Sequence, residues 1–226
     1  MLQLVIGNKN YSSWSMRPWV LLRHFGVAFD EIKLRFDFTP GSAFYRELAR
    51  YTPAGTVPVL LIDGFAVWDT LAIAEAVADL HPALPIWPRD SRQRARARSF
   101  AAEMHAGFSA LRSHCPMNLE AALPKVGARV LAAEPAVRRN LERIDAMWSE
   151  QLAASGGPFL FGEFGAVDAY FAPVAMRLRS YALPVSDAAR AYAQRLSASP
   201  GVTAWIADAL AEHDFIVEDE PYRSAR

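Results

Sequence analysis

Two short spans carry residue types suited to recognising a ligand: Val57-Pro58 and, a little further along, Asp69-Thr70. Proline has no N–H to give a sheet, so Pro58, at the front of an otherwise apolar run, belongs at a strand's first residue or in a turn, where a cis peptide is possible but uncommon. A cis Val57–Pro58 bond would leave the Val57 N–H and C=O free to pair with an extended peptide. Asp69 or Thr70 is a good helix N-cap, and the helix start behind it offers unpaired N–H groups to a carboxylate. One short peptide with an acidic end could use both. The plainer reading is an ordinary hairpin and helix, and a V-P-x-L run alone supports no more than that.

The elements that would hold these residues follow from periodicity. Val57 to Ile62 is an apolar, β-branched run ended by the turn pair Asp63-Gly64, and Phe65 to Trp68 resumes the same character, which gives a hairpin. Leu71, Ile73, Ala74, Val77, Ala78 and Leu80 then fall at helical spacing up to the stop signal His81-Pro82. Upstream, Leu2 to Ile6 is a short strand, and Tyr11-Ser12-Ser13 stands at the head of an amphipathic helix that runs through Trp19 to Leu22 and ends at Gly26. Phe29 to Leu34 alternates as a second strand, and a short helix covers 42–50. The order β-α-β-α-β-β-α predicts a small mixed sheet of thioredoxin type, with parallel pairing first and antiparallel pairing after.

Beyond a linker at 83–89, strand signals vanish. Helical patterns cover Arg92 to Cys115, closed by Pro116, then Val126 to Ala133, Ala136 to Leu152, Ala188 to Leu196 and Val202 to Glu212; the tail from Glu218 reads as loose. The predicted fold is thus an α/β thioredoxin-like domain at 1–82 and an all-α domain at 90–226. Arg92, Arg94, Arg96 and Arg98 alternate at period two on a helix, so they spread around it as a solvated face and form no nucleic-acid stripe.

Composition narrows the partners. Lys plus Arg and Asp plus Glu are 24 each in 226 residues, so no overall basic field draws nucleic acid or an acidic membrane. One cysteine, Cys115, excludes an internal disulfide framework, and it forms no metal-ligand cluster with five scattered histidines. The apolar start is too short for a secretory signal and no run reaches the length of a membrane span, which leads to the expectation of a cytoplasmic protein.

Taken with their spacing, Pro53, Thr56-Val57-Pro58-Val59-Leu60 and Asp69-Thr70-Leu71-Ala72-Ile73 resemble the glutathione site of the cytosolic glutathione transferase family. A third segment, Phe159 to Asp168, resembles the capping box before the family's buried helix, with Gly165 where the family has Ser or Thr; Asp168 therefore reads as structural. The start Ser12-Ser13-Trp14-Ser15-Met16-Arg17 resembles the zeta class, with Trp14 in place of its cysteine. Motif matching then selects Ser12 as the hydroxyl that donates a hydrogen bond to the glutathione thiolate. Counting back from Arg17, as in the theta and delta classes, selects Ser13, and Tyr11 is a third candidate.

By the same resemblance Val57, next to Pro58, pairs with the cysteinyl backbone of glutathione, Asp69 faces its amino group, and Thr70 holds the γ-glutamyl carboxylate. Gly55-Thr56 replaces the Lys or Gln that the family often places before the V-P pair, which implies weaker binding of the glycyl end. The second substrate is expected near Met104, His105, Phe108 and Arg112, with Arg177 from the following helix. The implied activity is addition of glutathione, without a metal, to a small hydrophobic electrophile. A maleylacetoacetate-type cis-trans isomerase and a non-enzymatic glutathione-transferase-like binding protein are the alternatives. The resemblance also implies a homodimer of 25.0 kDa chains, with Phe65, Val67, Trp68 and the Arg92 to Arg98 helix beside Phe100 as interface material and Asp69 close to the partner.

Overall fold

The structure, a computed structural model, describes residues 1–226. The first part contains β1 (Leu2–Ile6), α1 (Ser13–His24), β2 (Asp30–Lys33), α2 (Ala43–Leu48), β3 (Val59–Ile62), β4 (Phe65–Trp68) and α3 (Thr70–Leu80). Its strands form one sheet in the order β2-β1-β3-β4. β1 runs parallel to β2, while β1–β3 and β3–β4 are antiparallel, with Val59 opposite Trp68 across the hairpin. The apolar runs of β1 and β3 are long enough to be covered on both faces, and Leu4, Val5, Ile6, Val59 and Leu60 are accordingly buried.

Seven helices follow: α4 (Ser91–Ala106), α5 (Ser109–His114), α6 (Pro124–Ala133), α7 (Pro135–Ser155), α8 (Ala166–Tyr181), α9 (Asp187–Ser197) and α10 (Pro200–Glu212). None is long and apolar enough to cross a membrane. α8 is the axis of this part, buried along almost its whole length. Both α8 and α10 lie against α1, so one continuous core joins the sheet to the helices. At the α1–α10 crossing a Cβ on Gly201 would lie 2.5 Å from the Val20 carbonyl oxygen, so only glycine permits this approach. Beside it Trp19 and Trp205 meet edge to face, and the buried Lys9 ammonium sits over Trp19 and pairs with Glu31 and Asp208.

Residues 81–90, between α3 and α4, are packed in place. Ile86 and Trp87 are buried, and the Ile86 carbonyl accepts from the Ala166 N–H at the start of α8. Asp168 anchors the same corner. Its carboxylate accepts from the Gly165 N–H at 2.9 Å, the Leu160 N–H at 3.2 Å and the Tyr192 hydroxyl at 2.8 Å. Full burial pushes its carboxyl up to about 6, against these hydrogen bonds, which favour the anion. Gly165 supplies no side-chain cap, so Asp168 provides the one side chain of the box.

Two expectations are corrected. The single helix Arg92 to Cys115 is two, because Gly107 is extended and Phe108 adopts a left-handed conformation at φ 55°. A Cβ at Gly107 would lie 2.6 Å from the Glu103 carbonyl oxygen, so glycine is what allows the chain to turn there. The tail is not loose: it forms a 3₁₀ turn at Val217–Asp219, and Glu220 is buried against Tyr11 and Asn118.

Candidate active site

The helix heads of α1 and α3, the 55–58 turn before β3, α5 and Arg177 of α8 are among the elements that line a cavity of about 780 Å³. Ser12, Ser13, Val57, Pro58, Asp69, Thr70, Arg112 and Arg177 all line it, although they come from five separate stretches of chain.

The two serines at the head of α1 differ in what they are free to do. Ser12 is buried and is the N-cap: its Oγ accepts from the Ser15 N–H at 3.3 Å and donates to the Ser15 Oγ at 2.7 Å. The Ser15 Oγ in turn accepts from the Gly7 N–H, which ties the end of β1 to this turn. Ser13 is half-buried, and its Oγ accepts from the Arg177 Nη2 at 3.3 Å. Its own proton is given to no protein acceptor. Tyr11 is occupied elsewhere, donating to the Glu220 carboxylate at 2.7 Å, and burial together with that contact pushes its hydroxyl up to about 12.

The peptide bond between Val57 and Pro58 is cis. The β3–β4 ladder begins at Val59, and neither the N–H nor the C=O of Val57 has a backbone partner. Asp69 caps α3, its Oδ1 accepting from the Leu71 N–H at 2.8 Å. It does so at φ 70°, a left-handed backbone that costs a non-glycine residue on the order of 1–3 kcal/mol and that clusters at ligand sites. Its other oxygen lies 3.2 Å from His105 Nε2. Thr70 Oγ1 accepts from the Tyr170 hydroxyl at 2.9 Å and from Arg17 Nη1 at 3.4 Å, which fixes its side chain while its N–H stays at the open helix end.

Arg17, on α1, is the cation that backs the Thr70 hydroxyl. It is buried between the Trp14 and Tyr170 rings, 4.1 and 4.8 Å from their centroids, and burial pushes its guanidinium down to about 9. Its signal in the sequence is a charged residue inside the apolar run Met16 to Leu22. Trp14 sits between two cations, with Arg112 at 4.7 Å on its ring, and meets His105 edge-on at 5.0 Å.

These local features converge with what the chain is similar to. A model described as the glutathione S-transferase N-terminal domain matches residues 11–80, and one described as the C-terminal domain matches 72–208. The chain belongs to the glutathione S-transferase family. Among curated proteins, the chain is similar to a probable maleylacetoacetate isomerase of Caenorhabditis elegans, 27% identical over 99 residues, 44% of each chain. The maleylacetoacetate isomerase of Dictyostelium discoideum is 31% identical over 86 residues, 38% of each chain. The matched region thus spans less than half the length of these relatives. Among solved structures, a glutathione transferase homolog from Burkholderia with bound glutathione superimposes with TM-score 0.71 at 21% identity, over 93% of this chain and 98% of that one. A diazinon-metabolizing glutathione S-transferase of the silkworm Bombyx mori gives 0.72 at 18% identity, over 94% and 98%. At such identities the likeness is one of fold.

Part of the expected second-substrate set lies off the cavity wall. Met104 is fully buried in the core and Phe108 is 6% exposed, and neither lines the cavity. His105 is off the wall and reaches Asp69 instead; burial lowers its pKa, and Arg17 and Arg112 act in the same sense against Asp69. Arg112 and Arg177 do line the cavity, together with Ser109, Ser113, Pro116 and Met117 and an aromatic group of Phe36, Phe38, Phe44 and Tyr45. Cys115 is buried away from the cavity, and its thiol is raised to about 11 by burial. No group of three or more His, Cys, Asp or Glu side chains is arranged to hold a metal.

Proposed function

We propose that this chain is a glutathione-dependent transferase that activates the glutathione thiol through a serine hydroxyl and adds it to a small electrophile. The observation that carries the reading is the convergence on one cavity of the unpaired Val57 backbone, the α3 head at Asp69-Thr70 and the free Ser13 hydroxyl. Val57 pairs with the cysteinyl backbone. Asp69 takes the amino group, and the Thr70 N–H and hydroxyl take the γ-glutamyl carboxylate at the positive end of α3.

An ordinary thiol, with a pKa of about 8.5, is largely protonated at neutral pH, so the site must favour the anion. Ser13 does so by giving a hydrogen bond to sulfur while keeping its own proton, and Arg177 behind it strengthens that donor. In this reading Ser12 serves as the cap, and its engagement with Ser15 supports assigning the thiol to Ser13. The thiolate forms a bond to the electrophile's carbon, and the leaving group departs with the bonding electrons. Conjugation of a chlorodinitrobenzene is the test: Ser13→Ala is expected to lower kcat/KM by on the order of 10-fold or more, and full activity in both single serine variants and in the pair overturns the assignment.

A second reading is favoured by the curated relatives: a maleylacetoacetate-type isomerase in which glutathione adds and leaves. Trp14, Gly55-Thr56 and Ser180, where the family's substrate arginine is expected, speak against it; Ser180 is buried and donates to the Asn118 carbonyl. Isomerisation of maleylacetoacetate at saturating glutathione decides between the two. The same reading carries a division at 1–82, 83–89 and 90–226, a cytoplasmic location and a homodimer.

A further inference from the structure

Resting on the transferase reading, we infer that the thiol peptide of this cavity is a glutathione extended at its glycyl carboxyl by an amide-linked amine, whose ammonium group meets Asp219 and the faces of Phe36, Phe38 and Phe44. With the γ-glutamyl end at Thr70 and the cysteinyl backbone at Val57, the third residue of the peptide lies on the side of Val57 away from α3, toward Gly55-Thr56 and α2. Phe36, Phe38, Phe44 and Tyr45 line that end of the cavity. The 3₁₀ turn of the tail packs against it. Ile216 joins the cluster that contains Phe36 and Phe44, and Asp219, at the end of the turn, lines the cavity.

A free glycyl carboxylate finds no cation there. The cavity lining holds two, Arg112 and Arg177, and both belong to its α5–α8 side: Arg177 donates to Ser13 and Arg112 lies over the Trp14 ring. The cations nearest the aromatic group in the chain are engaged elsewhere, Arg35 by Asp214 and Arg46 by the Gly41 carbonyl. On the tail, Arg223 is held by Glu220 and Glu120. What this end offers is an acid. Asp219 pairs with no Lys or Arg, and its Oδ2 is buried without a hydrogen-bond partner. Burial, with Glu218 and Glu220 adding to it, pushes the carboxyl up to about 6, so at neutral pH it is ionised and its charge has no counter-ion. The rings share this end of the wall. Phe36 and Phe38 have centroids 5.1 Å apart, and Phe44 stands 5.5 Å from Phe36 and 6.1 Å from Phe38. Ring faces are negative, so they disfavour a carboxylate, whereas a carboxylate beside aromatic faces suits an ammonium. An amide at the glycyl end removes the anion this wall disfavours, and an amine beyond it supplies the missing cation.

Three S-methylated peptides that differ only at the glycyl end test this by calorimetry: glutathione, its glycinamide and its aminopropyl amide. The aminopropyl amide is expected to bind about 10-fold or more tightly than the glycinamide, with the free acid weakest. Asp219→Asn should bring the amine and the amide to near-equal affinity. Asp219→Lys should invert the order so that the free acid binds best, an inversion that loss of a structural contact does not produce. Phe38→Leu, at an exposed ring, should shrink the amine's advantage without a change of charge. Equal binding of amine and amide by the wild type, a free acid that binds as tightly as the amine, or an amine advantage that survives both Asp219 variants overturns the inference. Binding by none of the three at millimolar ligand overturns it together with the glutathione reading. The expected order in a protein that conjugates none of the parent thiols to a chlorodinitrobenzene sinks the transferase reading alone.

Discussion

Arg177 reaches from the C-terminal half of α8 to place its Nη2 3.3 Å from the Oγ of Ser13, the first residue of α1. The contact ties the buried axis of the helical part to the serine proposed to meet the thiol, and it gives Ser13 a partner that Ser12 lacks.

The serines should therefore fail in different ways. Ser13→Ala is expected to lower kcat/KM while leaving the denaturant midpoint nearly unchanged. Ser12→Ala removes an N-cap, for which the usual loss is about 1 kcal/mol of stability. Urea unfolding beside steady-state kinetics on both variants checks this, and the reverse pattern would exchange the roles.

The tail gives a pH dependence. Burial would raise the Glu220 carboxyl, but Arg223, the Tyr11 hydroxyl and Asn118 outweigh it and hold the group below its ordinary 4.5; Glu120, paired with Arg226 and Arg223, is lowered against burial in the same way. A depressed acid contributes stability that is present above its unfolded value and lost as pH falls through the folded one. These two carboxylates should accordingly make tail docking weaken below pH 4.5, the ordinary value, while Asp219, pushed up to about 6 by burial, acts in the opposite sense as pH falls through 6. Hydrogen exchange at 215–223 as a function of pH reads it directly, and Tyr11→Phe, which removes one of the bonds that hold the carboxyl down, should shrink the loss.

Why the sequence revealed some of this and hid the rest is visible at these residues. Val57 to Leu80 was legible because alternation, the Asp63-Gly64 turn and helical spacing all follow from neighbours in the chain. The break at Gly107-Phe108 was not: Phe108 keeps the apolar spacing of α4, and nothing local marks a phenylalanine as left-handed. That break re-aims the next turn, so Arg112 faces the cavity while Met104 stays in the core. Glu220 was hidden for a different reason, since its partner Tyr11 lies at the other end of the chain.

Asp168 offers a test of architecture independent of chemistry. Asp168→Ala leaves the Gly165 N–H, the Leu160 N–H and the Tyr192 hydroxyl without their acceptor in a buried corner. With unmet buried donors at about 1–3 kcal/mol each, the loss should reach about 3 kcal/mol or more. Asp168→Asn, which keeps one acceptor oxygen, should lose less. Calorimetric melting compares them, and a glutathione affinity unchanged in the folded Asn variant would place Asp168 outside the chemistry.

The dimer is the prediction with the most exposed surface behind it. β4 is an edge strand, and Phe65 and Trp68 on it are 72% and 44% exposed, an arrangement that invites pairing unless something covers it. The expected arginine helix contributes less than the sequence suggests. Phe100 is buried and meets Phe161 edge to face, and Arg98 already forms a two-pronged pair with Glu75 on α3. The exposed apolar side chains are thus Phe65 and Trp68, which alternate to opposite faces of the edge strand, and a symmetric pairing that covers Phe65 would give it a mate on the other chain's helical part. Sedimentation at micromolar concentration is expected to give twice the 25.0 kDa chain mass, and Phe65→Ser to shift the species toward the monomer without lowering the melting temperature of the isolated chain. A wild-type monomer that still conjugates glutathione would show that the cavity is complete within one chain and that the hairpin edge serves another partner.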